Sequence, residues 1–181
     1  MHFFENLHNG ILKDVGLGDF VTESAAKLDA IAEPEQSSKI PRDPSFRPDV
    51  LRAYEHRCAV SGFRAALKGR YFGVDFAHMK WHSHGGRDTV ANGLVLHPTL
   101  HLLLDRGAWT LTDDRKVLVS ADFTGSDEAV SWIRSLHGQP MREPMPGFDP
   151  VSSEYIRWHR ERDHGGVFRE PAVNLRGQLP V

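Results

Sequence analysis

The chain is poor in cysteine, in long apolar runs and in signals for export. Cys58 is the only cysteine among 181 residues, which excludes an internal disulfide and any zinc site built from several cysteines. No stretch approaches the roughly 18 consecutive apolar residues that a membrane-spanning helix requires. Residues 1–9 carry acid and histidine where a signal peptide has a basic and then an apolar region. We therefore expect a cytoplasmic protein that does not contact membranes.

The net charge of −2 is small, but the charges are unevenly distributed. Residues 41–119 hold 12 Lys and Arg against 8 Asp and Glu, a net of +4, which leaves −6 on the rest of the chain. A basic middle with acidic flanks lets one surface meet phosphate while the whole protein stays in solution. The charge pattern thus permits DNA as a partner without requiring it.

The length corresponds to one ordinary domain with a short appended arm, and a hydrophobic content of 40% is enough for a core. Glycines at 16 and 18 and a proline at 34 interrupt the first forty residues, in which 22–32 has helical spacing. We predict an N-terminal helical arm and linker over 1–40. A domain with a C-terminal helical extension is predicted over 41–181.

Apolar periodicity within 41–181 changes repeatedly between helical and strand spacing, which predicts a mixed α+β domain. A helix is expected from Pro48, with its proline in the first turn, and a strand or tight knuckle over 57–62. Further strands are predicted over 71–79 and 94–96, and a hairpin over 109–111 and 116–120. Helices are predicted over 98–106, 126–136 and 152–164.

Histidines are concentrated in one window of the sequence. Five of the eleven lie between His78 and His101, together with Asp88, Asn92 and the Gly85–Gly86 pair. Fourteen residues separate His78 from Asn92, and nine separate Asn92 from His101. A strand, a glycine loop, a second strand and a helix in this order would gather these polar groups into one cup.

The stretch FAHMKWHSHGGRDTVANGLVLHPTLHLLLDRG resembles the HNH endonuclease motif, in which histidine, asparagine and histidine recur at these intervals. From about residue 7 to 172, the chain resembles the C-terminal nuclease portion of bacterial type IV restriction endonucleases. In those enzymes a sulfur-binding domain recognises phosphorothioate-modified DNA. The resemblance implies an α+β fold with an HNH (ββα-metal) core, flanking helices and a β-hairpin, and a metal-dependent DNA endonuclease active in restriction and phage defence.

No region of the sequence matches a sulfur-binding domain. We expect the chain to be a portion of a longer protein, a shortened relative or a free-standing nuclease. A sulfur-binding or other DNA-recognition domain absent from this chain is then an expected partner. Cutting both strands with one active site needs either a homodimer or two successive nicks, and the sequence leaves both open.

The resemblance assigns the catalytic centre to His78, Asn92 and His101. A histidine with a pKa near ~6.5 can accept a proton from water at neutral pH, the role that we give His78. His101 corresponds to a metal-ligand histidine, and Asn92 either braces the loop or approaches the metal. The expected cofactor is a divalent cation, Mg²⁺ first, with Mn²⁺, Ni²⁺ or Zn²⁺ as alternatives.

Two positions depart from the family pattern. Many HNH enzymes place a metal-ligating aspartate immediately before the first histidine, where this chain has Ala77. Asp75, on the same strand face as Ala77, is the substitute predicted here, and His82 and His84 are alternatives. Relatives also often carry a four-ligand structural zinc. Here that zinc is not expected, because only Cys58 is present and the other positions are occupied by Ser61, His97 and Leu100.

Side chains that flank the motif are candidate DNA contacts: Arg70, Lys80, His82, His84 and Arg87. Two other functions remain open from the sequence. The absence of the ligand before His78 also suits a degenerate HNH fold that binds DNA or a protein without cleaving. A histidine-rich metal-binding protein with no nucleic-acid function is the third alternative.

Overall fold

The computed structural model describes residues 41–161 and 167–169. The predicted arm over 1–40, with its helix at 22–32, lies outside these residues, as does the end of the predicted last helix. The division of the chain into an arm and a nuclease domain therefore stays a prediction. None of the helices in the described part is long and apolar enough to cross a membrane.

Short helices and three separate two-stranded antiparallel sheets make up the described part of the chain. The sheets pair β1 with β2, β3 with β4 and β5 with β6. This architecture confirms the predicted α+β class. The elements are α1 (Phe46–Ala53), β1 (Ala65–Leu67), β2 (Arg70–Phe72), β3 (Asp75–His78), β4 (Gly93–Leu96), α2 (Pro98–Asp105), β5 (Trp109–Leu111), β6 (Val117–Val119), α3 (Asp127–Ser135) and α4 (Ser153–Arg160), with 3-10 turns at His82–His84 and Val90–Asn92.

The central unit is β3, β4 and α2, a ββα arrangement. β3 and β4 pair in a register that places Asp75 opposite Leu96 and His78 opposite Gly93. Pro98 occupies the first turn of α2, where a backbone N–H would have no acceptor within the helix, so proline costs no hydrogen bond there. The side chain of His97 caps the helix by accepting the Thr99 N–H. The loop from residue 79 to 92, which joins the strands, contacts the end of the helix, because Trp81 Nε1 donates to Asp105 Oδ1.

A single apolar core holds this unit. Every residue of β4 is buried, and α1 packs against β4 through Val50 and Phe46. The approach is close because position 93 is glycine, since a Cβ there would lie 2.4 Å from Val50 Cγ2. Leu100 and Leu104 of α2 are fully buried, and each such side chain contributes about 1.5–3 kcal/mol of apolar burial.

The single strand predicted over 71–79 is wrong, because the structure divides this stretch between two sheets. β2 ends at Phe72 and β3 begins at Asp75. Gly73 between them has a φ of +77°, a left-handed conformation that breaks an extended strand. β2 instead closes a hairpin with β1, an element that the sequence analysis did not predict.

The segment 57–62 is a turn and not a strand, which confirms the knuckle alternative. The Cys58 N–H donates to the Phe63 carbonyl at 2.9 Å, and the Gly62 N–H donates to the Cys58 carbonyl at 3.0 Å. Cys58 Sγ accepts the Ser61 N–H. The lone cysteine is fully buried and is part of the core.

The last helix fixes the far side of the domain. α4 begins after Ser152, whose side chain accepts the Glu154 N–H, and packs against β5. His159 on α4 is completely buried. Its ring lies between Thr110 Oγ1, 2.9 Å from Nδ1, and the Leu104 carbonyl, 3.0 Å from Nε2.

Candidate active site

The three motif residues come from three adjacent pieces of the ββα unit. His78 is the last residue of β3, Asn92 directly precedes β4, and His101 lies in the first half of α2. The loop from 79 to 92 connects the first two, and the buried packing of α2 beneath the sheet positions the third. The three residues thus come from adjoining parts of one small structural unit.

His78 is held by a carboxylate and by aromatic rings. Its Nε2 lies 2.7 Å from Asp88 Oδ1, and its side chain is only 12% exposed. The Phe46 ring packs against the imidazole with a centroid distance of 4.5 Å. Burial lowers the pKa of His78 below its ordinary value, although the hydrogen bond and charge of Asp88 act in the opposite direction. His78 is therefore neutral at pH 7.

Asp88 is the partner that sequence reasoning did not assign to the site. Its Oδ2 accepts the Asp43 N–H at 2.9 Å, and the Arg42 guanidinium lies 3.7 Å from Oδ1. Burial alone raises the pKa of Asp88, but the hydrogen bonds from His78 and the Asp43 N–H outweigh that effect and lower it. An ionised carboxylate only accepts, so Nε2 of His78 carries the proton and Nδ1 has the lone pair.

Asn92 is fully buried, and its side chain is committed to the loop. Its Oδ1 accepts the Lys80 N–H at 2.8 Å, while Nδ2 donates to the carbonyls of Lys80 and Arg87 at 2.9 and 3.0 Å. One side chain therefore connects the two ends of the loop that carries Asp88. The arrangement supports the bracing role of Asn92.

Two consecutive glycines allow this loop to close. Gly85 has a φ of +83°, which L-residues with a side chain rarely adopt. Gly86 is required for a different reason, because a Cβ there would lie 1.9 Å from the Lys80 carbonyl oxygen and 2.8 Å from Asn92 Nδ2. The backbone at Gly86 thus packs directly on the brace.

His101 faces a second carboxylate one helical turn further along α2. Its Nε2 lies 3.4 Å from Asp105 Oδ2, and Trp81 Nε1 donates to Asp105 Oδ1 at 3.2 Å. Burial raises the pKa of Asp105, while the charges of His101 and His78 oppose that shift. Asp105 was not predicted as a site residue, and it contacts both Trp81 of the loop and His101 of α2.

The predicted substitute ligand Asp75 lies elsewhere. It begins β3, whereas His78 ends that strand, and its Oδ1 lies 3.4 Å from the Arg47 guanidinium. Successive residues of a strand point to opposite faces, so Asp75 and His78 do not share a face. Among the described residues, Asp75 makes its ion pair with Arg47 and none with His101.

The residues predicted to contact DNA differ in how much of their surface is exposed. His84, Arg87 and Arg70 are exposed, Lys80 is half-buried, and His82 is buried with 8% of its surface accessible. The Nε2 of His82 is buried and has no hydrogen-bond partner among the described residues. The rings of His78 and His82 are 6.3 Å apart, so His82 lies beside His78.

The donors near His101 fit a divalent cation that is completed by substrate and water. Within the described residues no group of three or more His, Cys, Asp or Glu surrounds one point. One imidazole and one carboxylate, from His101 and Asp105, are nevertheless acceptable ligands for Mg²⁺, Mn²⁺, Ni²⁺ or Zn²⁺. Mg²⁺ in particular retains several waters and takes phosphate oxygens from its substrate.

The family model described as "HNH endonuclease" matches residues 58–112, from the knuckle at Cys58 through β5. This segment is therefore similar to an HNH endonuclease domain. No curated protein is similar enough to the chain to count as a match. A solved structure titled "Modification dependent TagI restriction endonuclease" is similar over 67% of this chain, with 25% sequence identity and a TM-score of 0.48. The similar region covers 38% of that chain, so this chain spans less than two thirds of its length.

Proposed function

We propose that the HNH domain hydrolyses phosphodiester bonds of DNA with the help of a divalent metal, as the nuclease part of a restriction system against foreign or modified DNA. The observation that carries the proposal is the His78–Asp88 pair at 2.7 Å, together with the His101–Asp105 pair, whose carboxylate is close enough for the charge of His78 to act on it. A general base and a metal-binding pair side by side are the two groups that hydrolysis of a phosphodiester needs.

His78 acts as the general base through Nδ1. Asp88 accepts the Nε2 proton, and Nδ1 makes no hydrogen bond within the described residues. When Nδ1 takes a proton from water, the imidazole becomes positively charged, and the adjacent Asp88 carboxylate stabilises that charge. The water oxygen forms a bond to phosphorus, the bond from phosphorus to the departing oxygen breaks, and that oxygen takes up a proton from solvent.

His101 and Asp105 are the residues that would hold the metal. A divalent cation there would supply positive charge to the phosphate and to the departing oxygen. Asp105 replaces Asp75 in this proposal, because Asp75 is paired with Arg47 at the far end of β3. Asn92 is proposed as a brace and not as a ligand, since both polar atoms of its side chain are already bonded to the loop.

Cations and histidines in and beside the loop from 79 to 92 are proposed to contact the DNA backbone. Arg87 and His84 project from the loop that carries Asp88, and Lys80 follows β3. Such contacts position the duplex without reading its sequence. His82 is a weaker candidate for this role because its side chain is buried.

Plasmid cleavage tests the function directly. Incubation with Mg²⁺, Mn²⁺ or Ni²⁺ should yield nicked or linear plasmid, and EDTA should abolish the products. His78→Ala should lower the rate by at least about 100-fold, the low end for loss of a general base. His137→Gln, at a histidine beyond α3, serves as the control and should cleave like the wild type. Cleavage by His78→Ala at the wild-type rate would contradict the assignment of the base.

A non-cleaving HNH module that binds DNA or a protein is the second candidate. It is favoured by the observation that the described residues present two metal donors and not three. Salt-sensitive binding to DNA, with no cleavage in any of these metals, would support this candidate over the enzyme.

A further inference from the structure

The hairpin β1–β2 is built outside the core. All residues from Ala66 to Phe72 are exposed, and neither strand pairs with another sheet. Leu67 and Phe72 expose 68% and 54% of their surface. Together with Leu102, they are the most exposed large apolar side chains in the described part of the chain. Such a hairpin adds little apolar burial to the stability of the domain, so its apolar side chains need another explanation.

The hairpin carries charge of one sign. Residues 56–74 contain four Lys and Arg and no Asp or Glu. Lys68 and Gly69 form the tip, both with positive φ (+50° and +76°), as in the type I′ turn that matches strand twist. Lysine is rarely found in this conformation, in which asparagine and glycine are preferred. The turn therefore holds a cation at the outermost point of the hairpin.

The base of the hairpin is stiffened by stacking. The Arg64 guanidinium lies 4.6 Å from the centre of the Tyr71 ring and donates to the Tyr71 hydroxyl. The His56 ring stacks on the same tyrosine at 4.6 Å and 15°. A two-stranded hairpin is marginally stable by itself, and these contacts tie it to the turn after α1.

We propose that the β1–β2 hairpin lies in a groove of the DNA duplex whose backbone the active site cuts, an inference that rests on the proposed function. Lys68 and Arg70 neutralise phosphates, and Leu67 and Phe72 contact apolar groups of sugars or base edges. The major groove admits a two-stranded ribbon, and apolar wedges are a recurrent feature of groove binding. Uniformly positive charge favours DNA over a protein partner as the occupant.

The hairpin and His78 are close enough along the chain to contact the same DNA duplex. Phe72 precedes His78 by six residues, which span at most about 20 Å when extended. That reach corresponds to about six base pairs at ~3.4 Å per step. A DNA duplex bound at the active site would therefore extend far enough to reach the hairpin.

Fluorescence anisotropy of the full chain with a labelled duplex of about 30 base pairs, in EDTA so that no cleavage occurs, tests the inference. Lys68→Ala/Arg70→Ala should raise Kd about 10-fold at low salt and reduce the slope of log K against log salt by about 2. Leu67→Ser/Phe72→Ser should weaken binding by a similar factor with the slope unchanged. Lys116→Ala and Trp132→Ser are matched exposed controls and should bind like the wild type.

Three results would overturn the inference in different ways. If both hairpin variants bind DNA like the controls while the wild type cleaves plasmid, the hairpin assignment fails and the proposed function stands. If the wild type neither binds nor cleaves DNA, both fail together. Analytical ultracentrifugation identifies the competing occupant, because loss of a dimer in Leu67→Ser/Phe72→Ser with unchanged DNA affinity would make the surface a contact between copies.

Discussion

At the scale of single residues, the Asp88 carboxylate fixes which nitrogen of His78 is basic. Its hydrogen bond to Nε2 raises the pKa of His78 against the stronger effect of burial, which keeps that pKa below ~6.5. The rate of DNA cleavage should therefore be level near neutral pH and fall only as pH drops below about 6.5. Asp88→Asn removes a charge that raises the pKa, so the acid limb should move to still lower pH.

The same variant should also lose rate on the plateau, by about 10-fold or more, because a weaker base accepts the water proton less readily. The measurement is kcat/KM against pH for the wild type, Asp88→Asn and Asp114→Asn. Asp114 is exposed in the turn between β5 and β6 and serves as the matched control. An acid limb that does not move in Asp88→Asn would mean that the carboxylate has only a structural role.

The identity of the metal-binding carboxylate is a second question at this scale. Asp105 lies 3.4 Å from His101, whereas Asp75 is paired with Arg47. Asp105→Asn should raise the metal concentration for half-maximal cleavage by about 10-fold or more, while Asp75→Asn should leave it unchanged. Calorimetric titration with Mn²⁺ in the absence of DNA gives a readout independent of activity. The opposite ranking of the two variants would restore Asp75 as the ligand.

The motif spacing placed three residues in the candidate site and missed their carboxylate partners. His78, Asn92 and His101 could be predicted because the motif spacing matches two strands and a helix. His78 ends the first strand, Asn92 precedes the second, and His101 lies in the helix. Asp88 was visible in the same window, but its contact with His78 depends on how the loop folds back. That path is determined by the buried bonds of Asn92, which no periodicity in the sequence reveals.

At the scale of elements, the loop from 79 to 92 depends on two glycines for separate physical reasons. Gly86→Ala would force a Cβ against the Lys80 carbonyl and the Asn92 amide, so we expect a loss of about 1–3 kcal/mol and of cleavage. Gly85→Ala meets no atom within 4 Å and should cost about 1 kcal/mol, from its φ of +83° alone.

Urea denaturation of both variants, with plasmid cleavage on the same preparations, separates the two effects. Gly85→Ala should retain most of its activity, because the brace formed by Asn92 is untouched. A Gly86→Ala protein as stable and active as Gly85→Ala would show that the loop can shift and that the close packing on Asn92 is not needed.

Element types could be predicted better than their boundaries and pairings. The helix after Pro98 and the pairing of 109–111 with the following strand were predicted because propensity, capping and apolar spacing agree there. The stretch from 71 to 79 has uniform β propensity, so the break at Gly73 was invisible without the positive φ. The hairpin at Lys68 and Gly69 was missed because its exposed apolar residues do not alternate with polar ones.

At the scale of the whole molecule, His159 connects the last helix to the ββα unit. Its ring donates to the Leu104 carbonyl at the end of α2 and accepts from Thr110 in β5, and both bonds are buried. Burial lowers the pKa of His159 to about 4. The neutral ring is therefore the form that the folded domain contains, and α4 is held to α2 through it.

This burial predicts how stability depends on pH. Above about pH 6.5 His159 is neutral in both the folded and the unfolded chain, and its titration contributes nothing. As pH falls from ~6.5 towards about 4, the unfolded chain binds a proton that the folded one does not, so stability is lost progressively. The full loss from this residue is about 3 kcal/mol, and burial lowers the pKa of His78 and His137 in the same direction.

Urea denaturation at pH 7.5, 6 and 5 measures this dependence, with His159→Gln as the variant that cannot titrate. The variant should be less stable than the wild type at pH 7.5 by about 1–3 kcal/mol, because the amide satisfies the buried partners less well. Its free energy of unfolding should nevertheless fall less between pH 7.5 and pH 5, since the remaining histidines titrate equally in both proteins. Parallel lines for the two proteins would show that His159 gains a proton without unfolding, and hence that the contact between α4 and α2 tolerates its charge.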